Sequence, residues 1–233
     1  MSTFVLVHGA WHGGWCWERV ADRLKARGHR VFAPTMTGLA ERASEMSRSI
    51  DLDTHVADIV GLIERENLRD VVLVGHSYGG WVISGVAEKV GPRLASLVYL
   101  DAFVPEDGQR GMDLTPPELQ AQIKQCVADG LVSRPPPSAE WFGVNEADRA
   151  WVDSMTTPQP LAIALQPIRL TGARERVAKK SYVRASGMAN PGFDRFMAEA
   201  QKKPGWRSYD VPCGHDVMVD MPDRLVEILE QEA

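Results

Sequence analysis

Val71-Val72-Leu73-Val74 runs straight into Gly75-His76-Ser77-Tyr78-Gly79-Gly80, and Trp81 to Val90 continues with helical character. An apolar run that ends in Gly-x-Ser-x-Gly and enters a helix is the pattern of a strand–turn–helix that presents a nucleophilic serine. So sharp a turn holds the serine in a strained backbone conformation. Side chains at Gly75 and Gly79 would collide with neighbouring backbone. The pattern therefore predicts a Ser77 hydroxyl held at the C-terminal edge of a sheet, beside the N-terminus of the next helix. The competing reading is a small-residue turn that merely joins two core elements.

Outward from this point, short β-branched runs alternate with amphipathic stretches, which predicts an α/β fold with a mostly parallel sheet flanked by helices. The runs are Thr3–Val7, Arg30–Ala33, Asp70–Val74, Leu94–Leu100, Lys180–Ala185 and Arg207–Val211. Several are almost wholly apolar, as strands covered on both faces should be. Helices are predicted over Trp15–Arg27, Leu52–Glu66, Trp81–Val90 and Pro222–Gln231. The second of these carries Val56, Ile59, Val60 and Ile63 at helical spacing, with Asp53 or Thr54 as its cap. The last begins at Asp220 or Met221, with Pro222 in the first turn.

From about Phe103 to Ala173 the alternation stops. This stretch holds Pro116-Pro117, Pro135-Pro136-Pro137, Pro158 and Pro160, together with Trp141, Phe142 and Trp151. So many large apolar residues argue against a disordered linker. The segment reads as a helical cap, inserted after the strand that ends near Asp101. One domain spanning 1–233 is expected, with its core at about 1–102 and 174–233 and the cap at about 103–173.

The 233 residues are 44% hydrophobic and carry a net charge of −5 with no long run of either sign, so neither a nucleic-acid surface nor an anionic-membrane patch is expected. No apolar stretch approaches the length of a membrane span. Cys16, Cys126 and Cys213 are too few and too scattered for a disulfide framework or a zinc site, and fit a reducing cytoplasm. Met1-Ser2-Thr3 leads directly into Phe4-Val5-Leu6-Val7, which reads as a first strand and not as a signal peptide. No dinucleotide or P-loop pattern accompanies the glycines, and no cofactor or metal is expected.

A serine hydroxyl needs a base, and the base needs a third group to orient it. His215, in Cys213-Gly214-His215-Asp216 after the last predicted strand, is the best-placed base. His8 and His76 belong to turn motifs, His12 to the first loop, and His29 and His55 read as surface or helix-start residues. The acid has two candidates. The strand ending at Ala185 leads into Ser186-Gly187-Met188-Ala189-Asn190, which has no carboxylate, and Asp194 falls inside the next helix. Asp101 instead closes Leu97-Val98-Tyr99-Leu100, one strand after the nucleophile, and is the preferred acid. The other reading of Asp101 is a turn-capping residue. Oxyanion stabilisation needs two backbone N–H donors. Tyr78 supplies one, and Ala10 in His8-Gly9-Ala10-Trp11 the other, with Trp11 as the substitute. Trp11, His12, Phe103, Trp141, Phe142 and Met188 are candidates to line an apolar pocket, whereas Trp81 reads as core.

Phe4-Val5-Leu6-Val7-His8-Gly9-Ala10-Trp11-His12-Gly13-Gly14-Trp15, with Gly-His-Ser-Tyr-Gly-Gly at 75–80, resembles the hydroxynitrile lyase and methylesterase branch of the α/β-hydrolases. It is more similar still to small bacterial esterases of that branch, among them carbamate-cleaving ones. Supporting stretches are Ser96 to Pro105 and His215 to Pro222. The resemblance implies the α/β-hydrolase fold, with Ser77 as nucleophile and His215 as base. It also implies a small-molecule substrate with an ester or carbamate carbonyl. It is weakest between about 107 and 170, where substrate choice is made. Relatives commonly pair into homodimers. The chain departs from the branch in two ways. The usual carboxylate after the penultimate strand is missing, and the lysine that lyases carry after the catalytic histidine is Asp216. A negative charge there argues against carbon–carbon lyase chemistry. A ligand-binding protein with little turnover, also known on this scaffold, is the remaining alternative.

Overall fold

The computed structural model describes residues 1–233. Its strands are β1 (Thr3–Val7), β2 (Arg30–Phe32), β3 (Val71–His76), β4 (Leu94–Leu100), β5 (Ser133–Arg134), β6 (Gln159–Pro160), β7 (Lys179–Ala185) and β8 (Trp206–Val211). The α-helices are α1 (Glu18–Ala26), α2 (Leu52–Arg65), α3 (Gly79–Val90), α4 (Pro117–Ala128), α5 (Glu146–Met155), α6 (Ala173–Arg176), α7 (Pro191–Lys202), α8 (Val217–Asp220) and α9 (Pro222–Gln231).

Six strands form one sheet in the order β2-β1-β3-β4-β7-β8, and every neighbouring pair is parallel. Parallel strands need crossover connections, and the helices of those crossovers cover both faces. That is why Phe4 to Val7 and Val71 to Val74 are buried without alternation. The chain steps outward from β1 to β2, then crosses back over β1 to lay down β3. Strand order therefore reverses between β1 and β3, and a crevice opens outside their carboxyl ends, where ligands of open α/β sheets bind.

Local chemistry sets the element boundaries. Helix α2 starts at Leu52 as expected, but its cap is Asp51, ahead of the expected Asp53 or Thr54. Asp51 accepts from the Thr54 amide at 2.9 Å, and Thr54 Oγ1 lies 3.3 Å from the Asp51 amide. The predicted helix over Trp15–Arg27 divides into a 3₁₀ turn at Gly14–Trp17 and the α-helix Glu18–Ala26.

Between β4 and β7 the chain forms α4 and α5, together with a two-residue antiparallel pair of β5 and β6. The sequence reading placed no strand there. Its period-two signal cannot show in elements this short. Part of the segment has a small core of its own around Met112, Ile123, Cys126, Leu161 and Ala164. Phe142, Val144, Val152 and Ile163 instead join the main core. No helix is long and apolar enough to cross a membrane.

Candidate active site

Ser77 sits at φ 53°, in the left-handed region, directly after β3. Two other non-glycine residues at the carboxyl ends of sheet strands share this strain, Trp11 after β1 (φ 64°) and Asp101 after β4 (φ 39°). Each such conformation costs on the order of 1–3 kcal/mol and persists only where its surroundings enforce it. The enforcement at Ser77 is visible. Its amide donates to the Leu100 carbonyl at 3.1 Å, and its own carbonyl accepts from Gly80 at 3.1 Å and Phe103 at 3.2 Å. A Cβ at Gly75 would lie 2.6 Å from the Gly79 carbonyl oxygen, and one at Gly79 would lie 2.8 Å from the Val7 carbonyl oxygen. The turn admits no side chain at Gly75 or Gly79.

The structure brings His215 and Asp101 together. His215 Nδ1 donates to Asp101 Oδ2 at 2.6 Å. That bond fixes the tautomer of the neutral ring, leaving Nε2 as its free basic nitrogen. The imidazole lies between the near-parallel rings of Phe193 and Phe142, at centroid distances of 5.6 and 6.1 Å. Asp101 caps no turn, because its second oxygen accepts from Arg184 Nη1 at 2.9 Å and from the Ala185 amide at 3.0 Å. Asp194 does not reach the histidine. It meets Arg184 Nε at 2.8 Å and is 58% exposed.

Two backbone N–H groups face no acceptor. The amides of Ala10 and Tyr78 donate to no carbonyl or side chain, although both residues are buried. Trp11 is excluded as the second donor, since its amide is held by Gln159 Oε1 at 2.6 Å. Tyr78 lies at the N-terminus of α3, where the helix dipole also favours negative charge. Ala10, Tyr78, Ser77, Asp101 and His215 all line one cavity of about 410 Å³. Trp11, Phe103, Trp141, Phe142 and Met188 line it too. Trp81 belongs to the core as expected, and its ring lines the cavity as well.

His12 is a correction. It does not line the cavity but turns inward, stacked on Trp15, with Nδ1 2.8 Å from the Ala10 carbonyl oxygen and Nε2 3.0 Å from Asp216 Oδ2. Both ring nitrogens face acceptors, which requires the doubly protonated imidazolium. Burial opposes that charge, but Asp216 outweighs it and raises the His12 pKa. Burial likewise disfavours the Asp216 carboxylate, yet the His12 charge and hydrogen bond bring it down to about 2. Asp216 is a second correction. It is fully buried and absent from the cavity wall, so the position after His215 puts no charge of either sign against a substrate.

His55 is a third. It is buried, not superficial, with Nε2 donating to the Thr37 carbonyl at 2.9 Å and Nδ1 3.0 Å from the Tyr78 hydroxyl. It anchors the residue that carries one of the two free amides. Two arginines of the site, Arg184 and Arg134, escaped the sequence reading. Arg184 had a signal, a lone charge in the buried run Ser181-Tyr182-Val183-Arg184-Ala185. Arg134 had none. Cys213, two residues before His215, has its thiol pushed up to about 12 by burial and nearby carboxylates, and is not a nucleophile at neutral pH.

A strained serine between β3 and α3, at the reversal point of a parallel sheet, defines a hydrolase scaffold. The chain belongs to the alpha/beta hydrolase family, whose model matches residues 4–228. It is 46% identical to the carbendazim hydrolyzing esterase of Nocardioides sp. (strain SG-4G), over 98% of each chain. Methylesterase 10 of Arabidopsis thaliana is 27% identical over 100% of this chain and 92% of its own. The solved structure of an extracellular α/β-hydrolase from a Paenibacillus species superposes with a TM-score of 0.86 at 23% identity, covering 100% of this chain and 99% of that one. The protein is an esterase-type hydrolase of this family.

Proposed function

We propose that the protein is a serine esterase that cleaves a small carboxylic ester or carbamate through an acyl-enzyme, with Ser77, His215 and Asp101 as its triad. The observation that carries this reading is the convergence of five groups on one cavity: the strained serine, the His215 imidazole, the Asp101 carboxylate bound to it, and the two free amides. Ser77 Oγ attacks the carbonyl carbon while His215 Nε2 takes its proton. Asp101 holds the ring and stabilises the imidazolium. The Ala10 and Tyr78 amides receive the oxyanion, and each such donor is worth about 3–4 kcal/mol in the transition state. Collapse expels the alcohol, protonated by His215, and water activated by the same nitrogen then releases the acid. The relative at 46% identity is named for hydrolysing carbendazim, a carbamate, which supports inclusion of carbamates. Residues 103–173 act as a cap in this reading. They supply Thr115, Pro116, Leu119, Trp141, Phe142 and Ile163 to the cavity wall. The three unpaired thiols fit a cytoplasmic setting.

The test is pre-steady-state hydrolysis of a short chromogenic aryl ester, with Ser77→Ala as control. A burst equal to the enzyme concentration, absent in the variant, is the expected result. Turnover that survives Ser77→Ala overturns the reading.

A further inference from the structure

Arg134 closes β5, 94% buried by virtue of its 6% exposure, and its side chain lines the cavity. Its guanidinium lies over the Trp11 ring, 4.2 Å from the centroid. It makes no ion pair with any carboxylate, and buried Nε and Nη1 have no hydrogen-bond partner. Its cross-strand neighbour Gln159 is in the same state, with Oε1 taken by the Trp11 amide and a buried Nε2 that has no acceptor. The only carboxylate on the cavity wall, Asp101, is already shared among His215, Arg184 and Ala185.

A buried charge without a carboxylate partner is costly, and the protein sets against it only the face of the Trp11 ring. Burial even lowers the guanidinium pKa to about 10. A site that keeps such a group beside its substrate cavity is shaped for a substrate that brings the partner. We propose that Arg134 recognises a carboxylate carried by the substrate away from the scissile bond, so that the preferred substrate is an ester or carbamate with one free carboxylate. Nε and Nη1 are shut off, so Nη2 is the nitrogen left to donate a charge-assisted hydrogen bond to one carboxylate oxygen. One unpaired cation in a cavity where 13 of 23 lining residues are hydrophobic matches a single negative charge, not a phosphate dianion. A neutral carbonyl would leave the charge uncompensated. Trp11 fixes the guanidinium from below by cation–π contact, adjoining the loop that carries the Ala10 amide.

This inference rests on the esterase reading, and two matched substrate pairs separate them. One pair is the para-nitrophenyl hemiester of glutaric acid against para-nitrophenyl valerate, with the charge on the acyl side. The other is carboxyphenyl acetate against phenyl acetate, with the charge on the leaving side. In at least one pair the wild type should favour the charged member in kcat/KM. That charged-to-neutral ratio should fall about tenfold or more in Arg134→Gln and recover in part in Arg134→Lys, as expected for a charge-assisted hydrogen bond. A wild-type preference for the neutral member in both pairs overturns the inference, as does a ratio that Arg134→Gln leaves unchanged. Failure of the neutral esters themselves to show Ser77-dependent turnover defeats the esterase reading instead. A second readout needs no turnover. Valerate, a monocarboxylate, should raise the Tm of the wild type and not that of Arg134→Gln, and Arg134→Gln alone should not lower Tm. A lower Tm with no valerate effect in the wild type marks Arg134 as merely structural and overturns the proposal.

Discussion

Arg184 Nη1 donates at 2.9 Å to the one oxygen of Asp101 that His215 leaves free, and both side chains are buried. The same guanidinium reaches Asp194 through Nε and the Met188 carbonyl through Nη2 at 2.7 Å. It also touches the Ala185 carbonyl. One arginine from β7 thus ties the end of β4 to the loop after β7 and the first turn of α7. It holds the Asp101 carboxylate rigid for the histidine.

The two aspartates on this arginine should separate cleanly. Asp101→Asn presents an amide N–H₂ to a site where His215, Arg184 and Ala185 all donate. The resulting mismatch spoils the histidine tautomer, and kcat should fall about 10³–10⁴-fold. Asp194→Asn loses only a half-exposed contact with Arg184 Nε, and kcat should stay within a few-fold of the wild type. Steady-state kinetics on one aryl ester decides between them, and the reverse pattern would move the acid to Asp194.

Arg184→Met removes the cation but leaves Asp101 with His215 and the Ala185 amide. Breaking a buried ion pair from one side costs about 3–5 kcal/mol. Thermal or denaturant unfolding should show a loss near the lower figure, since two hydrogen bonds to the carboxylate survive. A Tm equal to that of the wild type would show that the pair adds no stability.

The chemistry-bearing turns of this chain are legible because they are local. Gly75-x-Ser77-x-Gly79 carries its geometry in five consecutive residues, Asp101 closes the apolar run Leu97-Val98-Tyr99-Leu100, and His215 follows the mixed edge strand Trp206–Val211. Side-chain direction is not local. His12 lies in the right loop, yet it turns away from the cavity because Asp216, 204 residues later, supplies a buried charge on the other side. His55 lies in the first turn of α2 as expected, but nothing local shows that it is buried under Tyr78. The cap hides Arg134 and Gln159 for the same reason. They face one another across a two-residue strand pair that no periodicity reveals. Its helices α4 and α5 are short amphipathic pieces among prolines, and only their contact with the core orders them.

Gly75→Ala tests the elbow itself. The added methyl carbon would lie 2.6 Å from the Gly79 carbonyl oxygen and 3.0 Å from Ile83 Cδ1. The first neighbour is backbone and cannot step aside without moving Ser77. The variant should lose nearly all activity and expose itself by a lowered Tm. Retained turnover would mean that the turn between β3 and α3 tolerates a shift that its geometry forbids.

Acid stability should be set by the buried neutral histidines. His8 accepts from the Met36 amide at Nε2 (3.1 Å) while Nδ1 donates to the Gly9 carbonyl at 2.8 Å, so its folded form is uncharged. Burial lowers it to about 3, and burial also lowers His55 and His76. A depressed histidine pKa means that the unfolded chain binds the proton first. Its stability is complete above pH ~6.5 and is lost as pH falls toward the folded value, by up to about 1.4 kcal/mol per pH unit per group. The His12–Asp216 pair behaves otherwise. The raised His12 pKa contributes fully below pH ~6.5 and fades on the alkaline side, while Asp216, at about 2, loses its contribution only below pH ~4. Tm should therefore fall steadily from pH 6 to pH 4, and His8→Gln, which can donate and accept at the same two positions, should flatten that slope. Asp216→Asn should lower Tm at neutral pH and leave the slope between pH 6 and pH 4 in place. A slope that His8→Gln leaves untouched, or that Asp216→Asn abolishes, would assign the acid sensitivity to the wrong histidine.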